Sequence, residues 1–382
     1  MRVLVFVHAF NGRAIADVAT VLAEQTARLG HEVLLVAGSA PTGRPAVAGT
    51  RTLDLSISSS RTWPAIPRLR AVIRRFRPDV VYAHGNGPSR AAVLATRWLR
   101  HRPFVVTVEH NHYSSYAWTH RRVRDLVNAR LLPLADAVVG VAPEIAEDLT
   151  GTFPGVRDKV AVVPPPLTRW DRLAVLAAED PDHPWFADDA DVPVVVSVAN
   201  VHPRKDPETL LRAVARVNER TGRTVRLAVV GRPSDAGLQA RLEAFARSAG
   251  IADRIALLGF VSNPLPLVAR ADVFALTSRN EGLPLSLLEA LALGTPVVST
   301  DCPSGPRWLL EDGRYGELVP VGDVEAVADG ILRVLDDPVR REQLRREGPQ
   351  RVAPFVPERV AAALLALLDP SVQSGSPGRG SG

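Results

Sequence analysis

Residues 278–298 read SRNEGLPLSLLEALALGTPVV. The apolar run at 272–277 leads into them and reads as a buried strand. Asn280, Glu281, Gly282 and Leu283 form a loop, and Pro284 opens a helix at a position where a missing N–H costs nothing. Leu285, Leu287, Leu288, Leu291 and Leu293 give that helix an apolar face, Gly294 stops it, and Pro296, Val297 and Val298 begin another strand. Strand, loop, helix and strand in this order are one unit of parallel α/β winding, so the stretch sets the fold class. It also carries two carboxylates, Glu281 in the loop and Glu289 in the helix, with seven residues between them.

The loop lies at a helix N-terminus, where unpaired N–H groups and the helix dipole favour an anion such as phosphate. Glu289 sits about 7–8 Å further along the axis, at about 1.5 Å per residue. Carboxylates so placed suit hydroxyls at both ends of an elongated, phosphate-centred ligand, the shape of a nucleotide-sugar. The plain alternative is a capped amphipathic helix with two solvated glutamates.

The same winding recurs along the chain. Apolar runs at 3–7, 33–37, 80–83, 104–108, 137–141 and 160–163 alternate with helical patterns at about 15–29, 67–76, 89–99 and 122–132. After an acidic, proline-bearing stretch, runs at 194–198, 225–230, 255–258, 273–277 and 297–299 alternate with helices at 207–220, 238–249, 263–269 and 284–293. Later helices are expected at 324–335 and 358–368. Short continuous apolar strands between helices predict two parallel sheets, each covered on both faces. The expected organisation is a first Rossmann-like domain at 1–166, a linker at 167–192, a second Rossmann-like domain at 193–353, a C-terminal helix at 354–369 packing back on the first domain, and a disordered Ser/Gly/Pro-rich tail at 370–382. A ligand cleft is expected between the C-terminal ends of the two sheets.

At 382 residues the chain exceeds one comfortable core. With 46% hydrophobic and 23% charged residues it has the composition of a soluble globular protein. The lone Cys302 rules out an internal disulfide and suits a reducing cytosol. No apolar run reaches the length of a membrane span, and the first ten residues read as a strand more than as a signal peptide. The expected location is therefore cytoplasmic. The net charge is +5, and the base is nearly all arginine, Lys159 and Lys205 being the lysines. Arg68, Arg70, Arg74, Arg75 and Arg77 alternate with Leu69, Val72, Ile73 and Phe76 as the basic face of an amphipathic helix. That face reads as solvated, with peripheral contact to an anionic membrane at its inner side as the alternative. Nothing points to nucleic acid.

The dinucleotide-binding fingerprint is absent: Gly12 stands alone after the first strand, and Gly231 is followed by Arg232 and Pro233. The segment around Glu281 and Glu289 instead resembles the Glu-x7-Glu motif of family 4 of the retaining glycosyltransferases, which have the GT-B fold. The resemblance covers most of 1–368 and is strongest from about 194 to 323. It implies an NDP-sugar donor, UDP-linked by preference, an acceptor that the sequence leaves open, and a hexosyl or N-acetylhexosaminyl group transferred without a metal or other cofactor.

By that resemblance Glu289 binds ribose hydroxyls, Glu281 meets a sugar hydroxyl near the reacting carbon, and Gly282, Leu283, Pro284 and Leu285 line the donor. Lys205 matches the family lysine that neutralises the donor diphosphate. Asn200 occupies the place of the family arginine, and Arg204 is the candidate to supply that charge. Phe260 and Val261 resemble the turn whose backbone reads the base, and Gly12 the glycine loop before the first helix. His110 fits the family histidine close to the reaction centre, with His112 as fallback, while His84 and Glu109 are further acceptor-side candidates. Asp180 with Asp182, and Asp189 with Asp191, match an Asp-x-Asp metal pair but lie in the expected linker and read as solvated acids. The competing readings are a GT-B nucleotide-sugar epimerase and a non-catalytic sugar-nucleotide-binding scaffold subunit, which Asn200 in the arginine place favours. Oligomeric state is not legible.

Overall fold

The computed structural model describes residues 1–11, 14–41, 43, 45–57, 63–115, 121–186, 192–234 and 236–368. The chain divides into two compact units, residues 1–168 with 354–382, and residues 169–353.

The first unit is built on β1 (Arg2–Ala9), β2 (Glu32–Ser39), β3 (Thr50–Asp54), β4 (Val80–His84), β5 (Phe104–Glu109), β6 (Ala137–Gly140) and β7 (Val160–Val162). They form one parallel sheet in the order β3-β2-β1-β4-β5-β6-β7. Its helices are α1 (Ala14–Arg28), α2 (Ala65–Phe76), α3 (Asn86–Thr96), α4 (Arg121–Leu131) and α5 (Pro143–Thr152). The central strands are apolar because both faces are covered: Val3 to Val7, Val80 to Ala83 and Val105 to Val106 are buried.

The second unit opens with α6 (Leu173–Ala177) and is built on β8 (Val194–Val198), α7 (Pro207–Thr221), β9 (Arg226–Val230), α8 (Ala236–Ser248), β10 (Ile255–Gly259), α9 (Leu265–Arg270), β11 (Val273–Leu276), α10 (Leu285–Ala292), β12 (Val297–Thr300), α11 (Pro306–Leu309), β13 (Glu317–Val319), α12 (Val324–Asp336) and α13 (Pro338–Arg351). The sheet is again parallel, in the order β10-β9-β8-β11-β12-β13. The chain then returns to the first unit as α14 (Pro357–Ala366), which packs on α1. There Tyr82 Oη donates to Leu364 O at 2.9 Å.

In each sheet the strand order reverses once, between β1 and β4 and between β8 and β11. The C-terminal ends of those neighbours are where open α/β sheets bind ligands. The site-bearing loops sit there.

Several elements differ from the sequence reading. The stretch expected as an aperiodic linker contains α6 and two single 3-10 turns, which bury Leu173, Ala177 and Phe186. Five helical residues are too few to show a period. Strand β3 is a polar edge strand without an apolar run, and α13 buries only Leu344, Gly348 and Arg351 along fourteen residues, half of them charged. Two arginines of the solvated face also have structural partners. Arg68 donates to Leu55 O at 2.6 Å, and Arg70 caps the end of α3 through Leu94 O at 2.6 Å and Ala95 O at 3.0 Å. Gly12, the Asp189–Asp191 pair and the tail from 369 lie outside the described residues. Among the described residues no helix is long and apolar enough to cross a membrane.

Candidate active site

In the second unit, β8 runs into Asn200 and Val201 and then a 3-10 turn, Pro203–Lys205. His202 caps that turn, its Nδ1 accepting from Arg204 N–H at 3.1 Å. Asp206 takes a left-handed conformation (φ 48°) and starts α7. Its carboxylate accepts from Thr209 Oγ1 and from the Arg279 guanidinium, both at 2.8 Å. The adjacent turn, after β11, is stitched to this one. Arg279 N–H donates to Arg204 O at 2.8 Å, and Thr277 Oγ1 to Asp206 O at 2.9 Å. The result places the Lys205 ammonium against Glu281 Oε1 as an ion pair, with Ser278 Oγ donating to the same oxygen at 2.6 Å. Glu281 is buried, and Lys205 is mostly so.

The loop that holds Glu281 is pinned from β12 and the chain after it. Thr300 Oγ1 donates to Ser278 O and Ser304 Oγ to Glu281 O, each at 2.7 Å. Gly305, at φ 93°, allows the two loops to touch: a Cβ there would stand 2.5 Å from Gly282 O and 2.8 Å from Pro284 Cδ. Cys302 is buried beside the pair, and burial together with the Glu281 charge pushes its thiol up to about 12. It is not an activated nucleophile.

Pro284 occupies the N-cap of α10, and no side chain caps the helix there. The first-turn amides are thus available to an anion, beside the Lys205–Glu281 pair. Leu283 and Pro284 are buried, whereas Gly282, Leu285 and Glu289 are half-buried. Asn200 is exposed at the end of β8, and Arg204 is half-buried.

At the ends of β9 and β10, Gly231 N–H donates to Gly259 O at 2.7 Å. A Cβ on Gly231 would stand 1.8 Å from Ala199 O, so only glycine permits this approach. Phe260 is 63% exposed and carries the Arg232 guanidinium over its ring at 4.3 Å. The sequence had pointed to the backbone of this turn, and the structure adds an exposed aromatic face with a cation against it. Val261 is half-buried.

In the first unit, the end of β5 sorts its polar residues by strand alternation. Glu109 turns inward and is 2% exposed, accepting from Ser89 Oγ at 2.7 Å and from Tyr113 Oη at 3.2 Å. Burial raises its pKa against the effect of those hydrogen bonds. Tyr113 Oη also accepts from Asn86 and, at 3.2 Å, from Asn128 Nδ2. Glu109 is therefore the centre of a buried network. His112 is tied to its own loop, Nδ1 meeting Ser115 Oγ at 2.9 Å, and Asp148 stands 3.5 Å away. His110 is half-buried, and burial lowers its pKa to about 4. His84 is buried at the end of β4 and touches His110.

Sequence reasoning missed Ser278, Thr300, Ser304, Arg279 and Asp206, and in the first unit Ser89, Tyr113, Asn86, Asn128 and Asp148. Ser278 alone had a local signal, three residues before Glu281 in one loop. Among the described residues no group of three His, Cys, Asp or Glu side chains could hold a metal ion. Asp182 N–H donates to Asp180 Oδ1 at 2.9 Å in an exposed turn.

Two doubly wound parallel sheets in one chain, the second with an acid–base pair and an uncapped helix N-terminus at its switch point, define the GT-B class of α/β protein. The family pattern described as Glycosyltransferase Family 4 matches residues 15–168, and that described as Glycosyl transferases group 1 matches residues 181–351. The D-inositol 3-phosphate glycosyltransferase of Corynebacterium diphtheriae is 31% identical over 299 residues, 75% of this chain and 69% of the relative. The lipopolysaccharide core biosynthesis glycosyltransferase LpsE of Rhizobium meliloti is 36% identical over 180 residues, 47% of this chain. The matched part spans 50% of that relative's length. The crystal structure of Anabaena Alr3699/HepE in complex with UDP superimposes with a TM-score of 0.74 at 17% identity, covering 96% of this chain and 99% of the other. The chain belongs to glycosyltransferase family 4, group 1.

Proposed function

We propose that this chain transfers a glycosyl group from a nucleoside-diphosphate sugar to a hydroxyl acceptor with retention at the anomeric carbon. The observation that carries the reading is the Lys205–Glu281 ion pair beside the uncapped N-terminus of α10, at the switch point of the second sheet. Lys205 is a compact cation suited to a phosphate, and the amides of α10 add oriented partial charge, so the diphosphate is stabilised as it leaves. Glu281 orients Lys205 and accepts from a sugar hydroxyl. Glu289, about one turn further along the same helix, accepts from the ribose. The Arg232–Phe260 face takes the base, and the UDP complex of the structural relative supports uridine as the first nucleoside to try. The transferred group is read as a hexosyl or N-acetylhexosaminyl unit, delivered without a divalent ion. The first unit holds the acceptor. Retention follows from attack on the face that the diphosphate leaves, with the departing phosphate taking the acceptor proton. A glycan, glycolipid or natural-product hydroxyl fits this chemistry.

The test is release of free nucleotide from a panel of UDP-, GDP- and ADP-sugars, with and without chelator, by wild type, Glu281→Gln and Lys205→Ala. Hydrolysis of one donor, lost in both variants and indifferent to chelator, supports the reading. Loss with chelator would overturn the metal-free part of it. Absence of binding to every nucleotide-sugar would overturn the whole.

A further inference from the structure

Adjacent parallel strands deliver two imidazoles to one place in the first unit. His84 ends β4 and pairs in register with Val108 of β5, so His110, two residues further on, lies on the same face. His84 Nδ1 and His110 Nε2 are 3.3 Å apart, and the rings are tilted by 32° with centroids at 5.5 Å. His84 is 2% exposed, and its second nitrogen, Nε2, is buried without a hydrogen-bond partner among the described residues. Burial keeps both rings neutral, lowering the pKa of His110 and, helped by its neighbour, that of His84.

Two neutral imidazoles can share this contact in two ways. If His110 donates from Nε2, the proton of His84 sits on its Nε2, where it has no acceptor. If His84 donates from Nδ1, only a lone pair is left at that buried nitrogen. Orphaned buried N–H groups are the rarer of the two in folded proteins. The second arrangement is therefore favoured, and in it the proton of His110 must lie on Nδ1.

We infer that His84 is a positioning residue that fixes His110 as the Nδ1–H tautomer, so that His110 presents a hydrogen-bond donor to a ligand oxygen and not a basic lone pair. Histidine side chains in water favour the opposite, Nε2–H form, so the neighbour reverses the intrinsic preference. In the glycosyltransferase reading, on which only the identity of the ligand rests, the group met is a sugar hydroxyl oxygen, and His110 does not act as general base. Its contribution is orientation of the sugar.

The tautomer is a property of the free chain, so it is tested without substrate. Full-length protein carrying 15N-histidine is examined by imidazole 15N–1H correlation at neutral pH, with His110 assigned through His110→Gln. The expected spectrum has His110 Nδ1 protonated and Nε2 unprotonated, moving to the ordinary Nε2–H form in His84→Leu. His84→Asn, whose amide N–H takes the place of Nδ1–H, keeps the wild-type pattern. Nε2–H in wild type, read without any substitution, overturns the inference, as does an unchanged Nδ1–H form in folded His84→Leu. Turnover of the donor found in the panel should fall about tenfold in His84→Leu, the loss of one oriented hydrogen bond, and recover mostly in His84→Asn. Failure of every donor in the panel would sink the glycosyltransferase reading while leaving the tautomer result standing.

Discussion

Lys205 and Glu281 come from turns 76 residues apart in sequence, after β8 and β11, and close on each other as an ion pair with Ser278 on the same carboxylate oxygen. Sequence reasoning had given lysine the donor diphosphate and glutamate a sugar hydroxyl beside it. In the proposed function the pairing couples those roles, because an arriving diphosphate would share Lys205 with a carboxylate already bound to it. A buried charge stripped of its partner is costly, whereas losing both charges costs little.

The first prediction is therefore non-additivity. Lys205→Ala alone should destabilise the second unit by about 2–3 kcal/mol, since it strands Glu281 while leaving it one hydrogen bond from Ser278. Adding Glu281→Gln should recover at least half of that loss. Urea denaturation of the two single variants and the double variant gives the coupling; strictly additive losses would show that the pair is not formed.

Gly305 sets the spacing of the loop at residues 282–284. Gly305→Ala puts a methyl carbon 2.5 Å from Gly282 O at a φ of 93°, so the 282–284 loop has to move. The expected cost is about 1–3 kcal/mol of strain, with weaker donor binding than the stability loss alone would give. Isothermal titration with UDP on the folded variant checks it, and unchanged affinity would contradict the proposed role of the loop.

Acid should weaken the first unit through the histidine pair. The folded pKa of His110 is about 4 against an ordinary 6.5, and that of His84 is also depressed. The folded chain thus refuses protons that the unfolded chain accepts below 6.5. Stability from the pair is complete above that value and is lost as pH falls toward 4, at up to about 1.4 kcal/mol per pH unit for each histidine. Glu109, its pKa raised, works in the opposite sense and favours the fold toward acid. Denaturation midpoints between about pH 7 and pH 5 should fall less steeply in His84→Asn than in wild type. Parallel profiles would mean that His84 is protonated in the fold.

Phe260 offers a separation of binding from stability. It is 63% exposed, so Phe260→Ala should change stability by no more than about 0.5 kcal/mol. The loss of a stacking face and of its contact with Arg232 should weaken nucleotide binding several-fold, and the effect should be present for UMP as well as for the full donor. An effect confined to the sugar-bearing donor would move the base elsewhere.

The winding was readable because it rests on local rules. Val194 to Val196 and Val273 to Leu276 are continuous apolar runs, and Pro284 and Gly294 mark the ends of α10 by backbone geometry alone. Strand β3 and helix α13 were not readable, since a polar edge strand and a half-charged helix are held by neighbours that the linear sequence does not display. The site divides in the same way. Glu281, Lys205 and His110 were legible as candidates because each follows the end of a strand, and Glu289 because it lies on the helix after such a loop. Ser304 and Thr300 were not, because what they do is donate to carbonyls 23 and 22 residues away.

By itself the sequence determined two parallel α/β windings, the family they belong to and the loops that carry charge. Periodicity, turn residues and helix ends act within a few neighbours, and all of these are written in order along the chain. Only the tertiary structure decided which charges meet. It sent Glu109 inward and left His110 at the strand end, enclosed His84 against it, and closed Lys205 on Glu281. Those outcomes depend on strand order and register, which bring distant residues within hydrogen-bonding distance and remove water from around them.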